Sequence, residues 1–299
     1  MLLVHGDAID MAGHVRPSSV ELAYLDPPFA VGARFTARTK KSETRGRETK
    51  RATAPIAYDD RWPSLESYLD WLEARLAAVR IALSDAGTMW LHLDQRAVHE
   101  AKARCDRVFG KRAFIGEVIW APGNGSKSKR GPGMGHQTLL LYAKGRDFVW
   151  NGRHPLLRAP FARTSVAMHF QTRDADGRAF RDRTVGHKTY RYYEDEGRAL
   201  GSVWTDCPAM VANTPLRSEG TGYPTQKPLK LLERIVCASS RPGSLVLDPF
   251  AGSGTTLCAA ARHDRDAVGF DIGDLAIAMT KKRLAEMNAP FSVLRAQRP

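Results

Sequence analysis

The feature that most narrows the folds open to this chain is the passage Ser244-Leu245-Val246-Leu247, followed by Asp248-Pro249-Phe250-Ala251-Gly252-Ser253-Gly254-Thr255-Thr256 and an alanine-rich stretch. An apolar run that ends in a glycine-rich turn and opens a helix lets a ligand approach the backbone, where side chains would block it. Two familiar phosphate sites are excluded. No lysine follows the second glycine as a P-loop requires, and Leu257 stands where a dinucleotide fingerprint needs glycine. A second apolar run, Ala267-Val268-Gly269-Phe270, ends in Asp271, a carboxylate placed to accept hydrogen bonds from two ribose hydroxyls. The pair predicts a site for a ribose-bearing ligand with no phosphate to clamp.

Short apolar runs alternate with helical patterns along the chain, the rhythm of a mostly parallel sheet covered by helices. Strands are expected at Leu2–His5, Val20–Leu25, Thr88–Leu93, Thr138–Ala143, Leu245–Leu247 and Ala267–Phe270. The clearest helix follows Ser64, where Leu65, Leu69, Leu72, Leu76, Val79 and Leu83 recur at the helical period. Further helices are expected at about 95–108, 228–239, 254–263 and 274–287. Residues 124–135, rich in glycine and charge, predict a loop, and the arginine- and aromatic-rich residues 150–200 predict an insertion outside the main sheet. At 299 residues the chain can bury a large α/β core without disulfides or metals. Its four cysteines lie far apart with no zinc-ligand spacing, which predicts reduced, mostly buried thiols and no metal site. No stretch approaches the roughly 18 apolar residues of a membrane helix, so a cytoplasmic protein without membrane contact is expected.

A further segment, Tyr24-Leu25-Asp26-Pro27-Pro28-Phe29, also closes an apolar run. Two consecutive prolines stiffen the backbone and donate no hydrogen bonds, leaving carbonyl acceptors beside the Asp26 carboxylate. With the Phe29 ring next to them, they suit the exocyclic amine of a flipped base held by stacking. Charge points the same way. Lys and Arg outnumber Asp and Glu by 45 to 32, which favours a polyanionic partner. Residues 34–51 concentrate Arg34, Arg38, Lys40, Lys41, Arg45, Arg47, Lys50 and Arg51 against only Glu43 and Glu48.

In their order these segments resemble the amino-directed DNA methyltransferases of the permuted β group, in which D-P-P-[YF] precedes F-x-G-x-G, as Asp26–Phe29 precedes Phe250–Gly254 here. Tyr58-Asp59-Asp60-Arg61-Trp62, His92-Leu93-Asp94, Phe109-Gly110, Glu117-Val118-Ile119-Trp120 and Gly222-Tyr223-Pro224-Thr225-Gln226-Lys227-Pro228 resemble further family signatures in the family's order. The resemblance implies a Rossmann-like, mostly parallel sheet with helices on both faces, a circularly permuted motif order and a small inserted DNA-recognition region. It divides the chain into a catalytic half at 1–149 that carries the basic loop 34–56, a target-recognition insertion at 150–200, and a cofactor-binding half at 201–299.

It also implies an enzyme that moves a methyl group from S-adenosyl-L-methionine to N6 of a flipped adenine in duplex DNA. Asp26 and the Pro27 carbonyl would accept hydrogen bonds from the target amine, with Pro28 completing the motif and Phe29 stacking on the base. Asp248, Phe250, Ala251, Gly252 and Gly254 would form the cofactor turn, with Asp271 on the ribose and Asp7 near the adenine. Thr225 and Lys227 would sit near the methionine end. Arg34, Arg38, Lys40 and Lys41, with Lys127, Lys129 and Arg130, are the candidate DNA contacts. Cytosine N4 is the alternative target, since members acting there more often carry Ser in place of Asp26. RNA methylation and a non-catalytic DNA-binding role are further alternatives. C5-cytosine chemistry is not expected, because it needs a nucleophilic Pro-Cys pair and Cys207-Pro208 has the reverse order. A homodimer and a companion restriction endonuclease are compatible with the resemblance.

Overall fold

The computed structural model describes residues 1–37, 55–125, 127–210 and 218–296, and contains two compact units, one of Met1–Trp150 with Val203–Pro299 and one of Asn151–Ser202. The larger unit is built on one nine-stranded sheet. From edge to edge its strands are Val203–Trp204, Phe114–Trp120, Gln137–Ala143, Leu83–Leu93, Val20–Leu25, Leu245–Asp248, Asp266–Asp271, Leu2–His5 and Ser292–Arg295. Every neighbouring pair is parallel except the two that involve Gln137–Ala143.

Parallel strands need covering on both faces, and the inner strands are accordingly apolar at nearly every position. Ala23, Leu25, Met89, Leu91, Leu93, Leu247, Val268 and Phe270 pack into one core with Tyr68, Leu69, Leu72, Leu76 and Val79 of the helix Leu65–Ala82 and with Val98, Ala101 and Cys105 of the helix Val98–Phe109. The first of these helices starts where expected because Ser64 and Ser67 cap each other, each side chain bonding the other's backbone amide at 3.1 Å. Residues of opposite parity face the other way. Trp90 donates its indole N–H to Ser239 Oγ at 2.9 Å, joining the strand Leu83–Leu93 to the helix Leu229–Ser239. Gly269 lies against Leu257 of the helix Thr255–Arg262, where a Cβ would meet a leucine methyl at 2.8 Å.

The expected strands and helices are all present, with ends shifted by a few residues. The strand expected at Thr88–Leu93 is longer and begins at Leu83, directly after its helix. Among the described residues of the larger unit, strands not expected include the inner strand Phe114–Trp120, the edge strands Val203–Trp204 and Ser292–Arg295, and the hairpin Arg34–Thr36 with Ile56–Asp59. The four cysteines are free and buried, and no described helix is long and apolar enough to cross a membrane.

In the smaller unit the strands Thr172–Arg173, Ala179–Val185 and Lys188–Tyr193 form an antiparallel sheet, and Arg158–Ala159 pairs with Arg198–Ala199. Its cross-strand contacts are aromatic and cationic. Arg191 lies 3.7 Å over the Phe180 ring, Arg178 3.9 Å over the Tyr193 ring, and Asp182 pairs with Arg191 at 2.9 Å.

Because both partners of the Trp90–Ser239 bond are fully buried, Ser239→Ala should leave the indole N–H unsatisfied. A loss of about 1–3 kcal/mol in unfolding free energy is expected from urea denaturation, and an unchanged midpoint would show that the bond adds nothing.

Candidate active site

The strands Val20–Leu25 and Leu245–Asp248 are parallel neighbours, with Ala23 opposite Leu247. Their next segments diverge. The first leads through the helix Leu65–Ala82 to Leu83–Leu93 on one side, the second through Thr255–Arg262 to Asp266–Asp271 on the other. Where strand order reverses in this way a crevice opens at the carboxyl ends of the strands. Asp26-Pro27-Pro28-Phe29 and Asp248-Pro249-Phe250 follow the two adjacent strands and line one cavity of about 450 Å³.

One half of the cavity is lined by the glycine turn after Asp248. Gly252 has φ +52°, and a Cβ there would stand 3.3 Å from the Tyr223 ring. The Asp271 carboxylate accepts the Gly252 and Gly273 amides, both at 2.8 Å, so it organises the turn while keeping lone pairs free. Burial pushes its pKa up to about 6, against the pull of those amides. Asp248, also buried, accepts the Phe250 amide at 3.0 Å. Its pKa is pushed up to about 7, first by burial, with Thr256 and the Phe250 amide opposing and Asp26 and Asp271 adding to the rise. Phe250 stands 5.5 Å from the Trp71 ring, and Arg75 stacks 4.2 Å over that ring. Arg75 also holds Asp7 through bonds of 3.0 and 2.5 Å, while Asp7 caps the Ile9 amide at 2.9 Å.

The other half centres on Asp26. Lys227 Nζ lies 2.6 and 2.5 Å from its two carboxylate oxygens and 5.1 Å from the Phe29 ring centre. Burial raises the Asp26 pKa, and the adjacent Lys227 ammonium opposes that rise. Phe29 and Tyr24 pack at 6.0 and 6.1 Å from the buried His92 ring, and Tyr24 and His92 share a hydrogen bond of 2.7 Å. Trp120 crosses His92 edge-on at 5.4 Å and donates to the Cys207 carbonyl at 2.7 Å. Behind Phe29 the fully buried Asp60 binds consecutive loop amides.

Of the residues singled out in the sequence, Asp7, Asp26, Pro27, Pro28, Phe29, Thr225, Lys227, Asp248, Phe250, Ala251, Gly252 and Asp271 line this cavity. Gly254 is not among its walls. It caps the helix Thr255–Arg262 with φ +74°, and a Cβ there would meet Thr280 Oγ1 at 2.6 Å, so its glycine serves turn geometry and packing. Lys227 stands on the Asp26 carboxylate, a contact that spacing could not foretell across 201 residues. Thr225 and Tyr58 both line the cavity. Among the candidate DNA contacts, Lys127, Lys129 and Arg130 are exposed, Arg34 pairs with Asp59 at 2.8 Å, and Arg38, Lys40 and Lys41 lie outside the described residues. Sequence reasoning missed Arg75 and Trp71. The signal was their four-residue spacing, which places them on one face of a helix whose apolar pattern drew attention elsewhere.

A doubly wound sheet thus brings the Asp26, Asp248 and Asp271 carboxylates, a glycine turn and aromatic rings to the wall of one crevice. The chain belongs to the N6/N4 DNA methylase family, whose model matches residues 20–282. Among its relatives, the type II methyltransferase M.EcaI of Enterobacter cloacae is 28% identical over 322 residues, spanning 93% of this chain and 67% of M.EcaI. The DNA adenine methyltransferase YhdJ of Escherichia coli is 27% identical over 94% of this chain and 82% of YhdJ. The crystal structure of the M1.HpyAVI–SAM complex aligns with a TM-score of 0.56 at 17% identity, covering 95% of this chain and 99% of M1.HpyAVI.

The raised Asp248 pKa has a stability consequence. The native state keeps a proton that the unfolded chain releases near pH 4, so its contribution is full below that pH and is lost as pH rises through about 7. Asp248→Asn removes the ionisation. The stability of the variant relative to wild type, from urea denaturation at several pH values, should therefore increase between about pH 4 and pH 7, and parallel curves would contradict the assignment.

Proposed function

We propose that the chain is a site-specific DNA methyltransferase that transfers a methyl group from S-adenosyl-L-methionine to N6 of a flipped adenine in duplex DNA. The observation that carries this reading is the shared cavity: the Asp26 acceptor, with the Phe29 ring beside it, opens into the same space as the Gly252 turn and Asp271.

The cavity fits the cofactor. Asp271 presents a carboxylate already ordered by two amides, which suits ribose hydroxyls. Gly252 leaves the backbone open to a close ligand, and Phe250 with Trp71 offers flat apolar surface for an adenine ring. Lys227, Thr225 and Tyr223 line the same space and suit a polar amino-acid end. When bound, the cofactor supplies an electrophilic methyl group on a sulfonium.

The protein's own groups act on the nucleophile. The adenine amino lone pair is delocalised into the ring, so the nitrogen gains nucleophilicity only as it moves toward tetrahedral geometry. Asp26 and the Pro27 carbonyl favour that change by accepting the two N–H bonds. Lys227 opposes protonation of Asp26, and a carboxylate that holds one ammonium still has lone pairs for an amine. Phe29 supplies the stacking face that fixes the base in line with the methyl group, and the proton released from nitrogen goes to Asp26 or water.

Adenine is favoured over cytosine by Asp26 at the acceptor position, and YhdJ is a DNA adenine methyltransferase. The exposed Lys127, Lys129 and Arg130 suit phosphate contacts, and the arginine-rich residues 151–202 suit base readout in the major groove. M.EcaI is a type II methyltransferase; the reading extends to that setting, in which methylation at one short site shields DNA from a companion endonuclease.

Two variants test the division of labour. Asp26→Ala should lower methyl transfer to duplex DNA by at least ~10²-fold while calorimetric cofactor affinity stays close to wild type; equal loss of both would reject its role at the amine. Asp271→Ala should weaken cofactor binding by about 1–3 kcal/mol, and an unchanged affinity would remove it from the site.

A further inference from the structure

The segment that follows Pro28 runs against its own preferences. Ala30 has φ +55°, a left-handed conformation that non-glycine residues adopt at a cost, and three successive amides, those of Phe29, Ala30 and Val31, converge on one point. Such a nest of N–H groups ordinarily receives an anion. Here the anion belongs to the chain. Asp60 Oδ2 accepts from Phe29 at 3.1 Å and Val31 at 3.0 Å, and Oδ1 accepts from Ala30 at 3.0 Å and the Trp62 indole at 2.9 Å. The backbone locks the same pair of segments again, with the Gly32 amide on the Asp60 carbonyl at 3.0 Å and the Asp60 amide on the Ala33 carbonyl at 2.9 Å.

We propose that Asp60 is a positioning residue for the transfer reaction, holding the loop after Pro28 so that the Phe29 ring stands beside the Asp26 acceptor. The inference rests on the methyltransferase reading of that acceptor. Pro27 and Pro28 stiffen the chain as far as Phe29, and Asp60 fixes it from Phe29 onward, so the stacking residue is restrained from both sides. Its ring is then set between His92 at 6.0 Å and the Lys227 ammonium at 5.1 Å. Asp60 reaches neither half of the cavity, because its carboxylate is buried and taken up by its donors. It therefore acts through Phe29.

Asp60→Asn is nearly isosteric but turns one acceptor into a donor that faces N–H groups. Steady-state methylation of unmethylated genomic DNA is expected to show a kcat lower by about 10- to 100-fold, as for a misplaced reacting group, with KM for S-adenosyl-L-methionine within about twofold of wild type. In a double-mutant cycle the Asp60→Asn loss should largely vanish when Phe29→Ala is already present. Asp60→Glu, which keeps the charge but moves it by one methylene, serves in the same cycle if the Asn variant does not fold. Hydrogen exchange at the amides of residues 29–31 should accelerate in either variant. Additive losses in the cycle, a cofactor KM that rises with the fall in kcat, or unchanged amide protection would each overturn the proposal. Wild-type protein that methylates no DNA would instead reject the methyltransferase reading, and the exchange measurement would still decide whether Asp60 holds the loop.

Discussion

The parallel pairing of Val20–Leu25 with Leu245–Asp248 is the contact on which the site depends. It joins segments more than two hundred residues apart, and it ends with Asp26 and Asp248 at adjacent strand termini, with Asp271 at the end of the next strand beyond Asp248. Three carboxylates thus converge on one buried crevice, with Lys227 as the cation on Asp26. The cost is visible in Asp248 and Asp271, whose pKa values burial drives up to about 7 and about 6. Each carboxylate is partly compensated by fixed dipoles or charge: backbone amides on Asp271, the Phe250 amide and Thr256 on Asp248, and Lys227 on Asp26.

The same economy of donors governs the surrounding loops. Asp7 is held by Arg75 and caps Ile9, and Arg75 in turn lies on Trp71, so the wall next to Phe250 is one connected set of contacts. Asp60 does the corresponding work behind Phe29. In both devices a polar side chain reaches partners on a distant segment, Arg75 on Asp7 and Asp60 on the amides of residues 29–31, beside the Phe250 and Phe29 rings.

Much of the fold was legible in the sequence, because parallel strands buried on both faces leave continuous apolar runs and the Ser64 helix has a clean period. Edge elements escaped notice for the opposite reason. Ser292–Arg295 is exposed at every position, and Val203–Trp204 is only two residues long, so neither has a pattern to read. In the site, motif residues announced themselves by unusual local chemistry: adjacent prolines, paired glycines, an aspartate ending an apolar run. Arg75, Asp60 and the Lys227 contact with Asp26 did not, since their meaning lies in partners 68, 29–31 and 201 residues away. Gly254 shows the converse, a motif glycine whose requirement comes from Thr280 packing against it.

The central claim is that the Asp26 acceptor and the Gly252–Asp271 pocket form one methyl-transfer site for the adenine amine. Its most direct test is incubation of the protein with labelled S-adenosyl-L-methionine and genomic DNA free of prior methylation, followed by nucleoside analysis. The account predicts label in N6-methyladenine, confined to one short sequence. Label in N4-methylcytosine, or none in any DNA from protein that binds the cofactor, would contradict it.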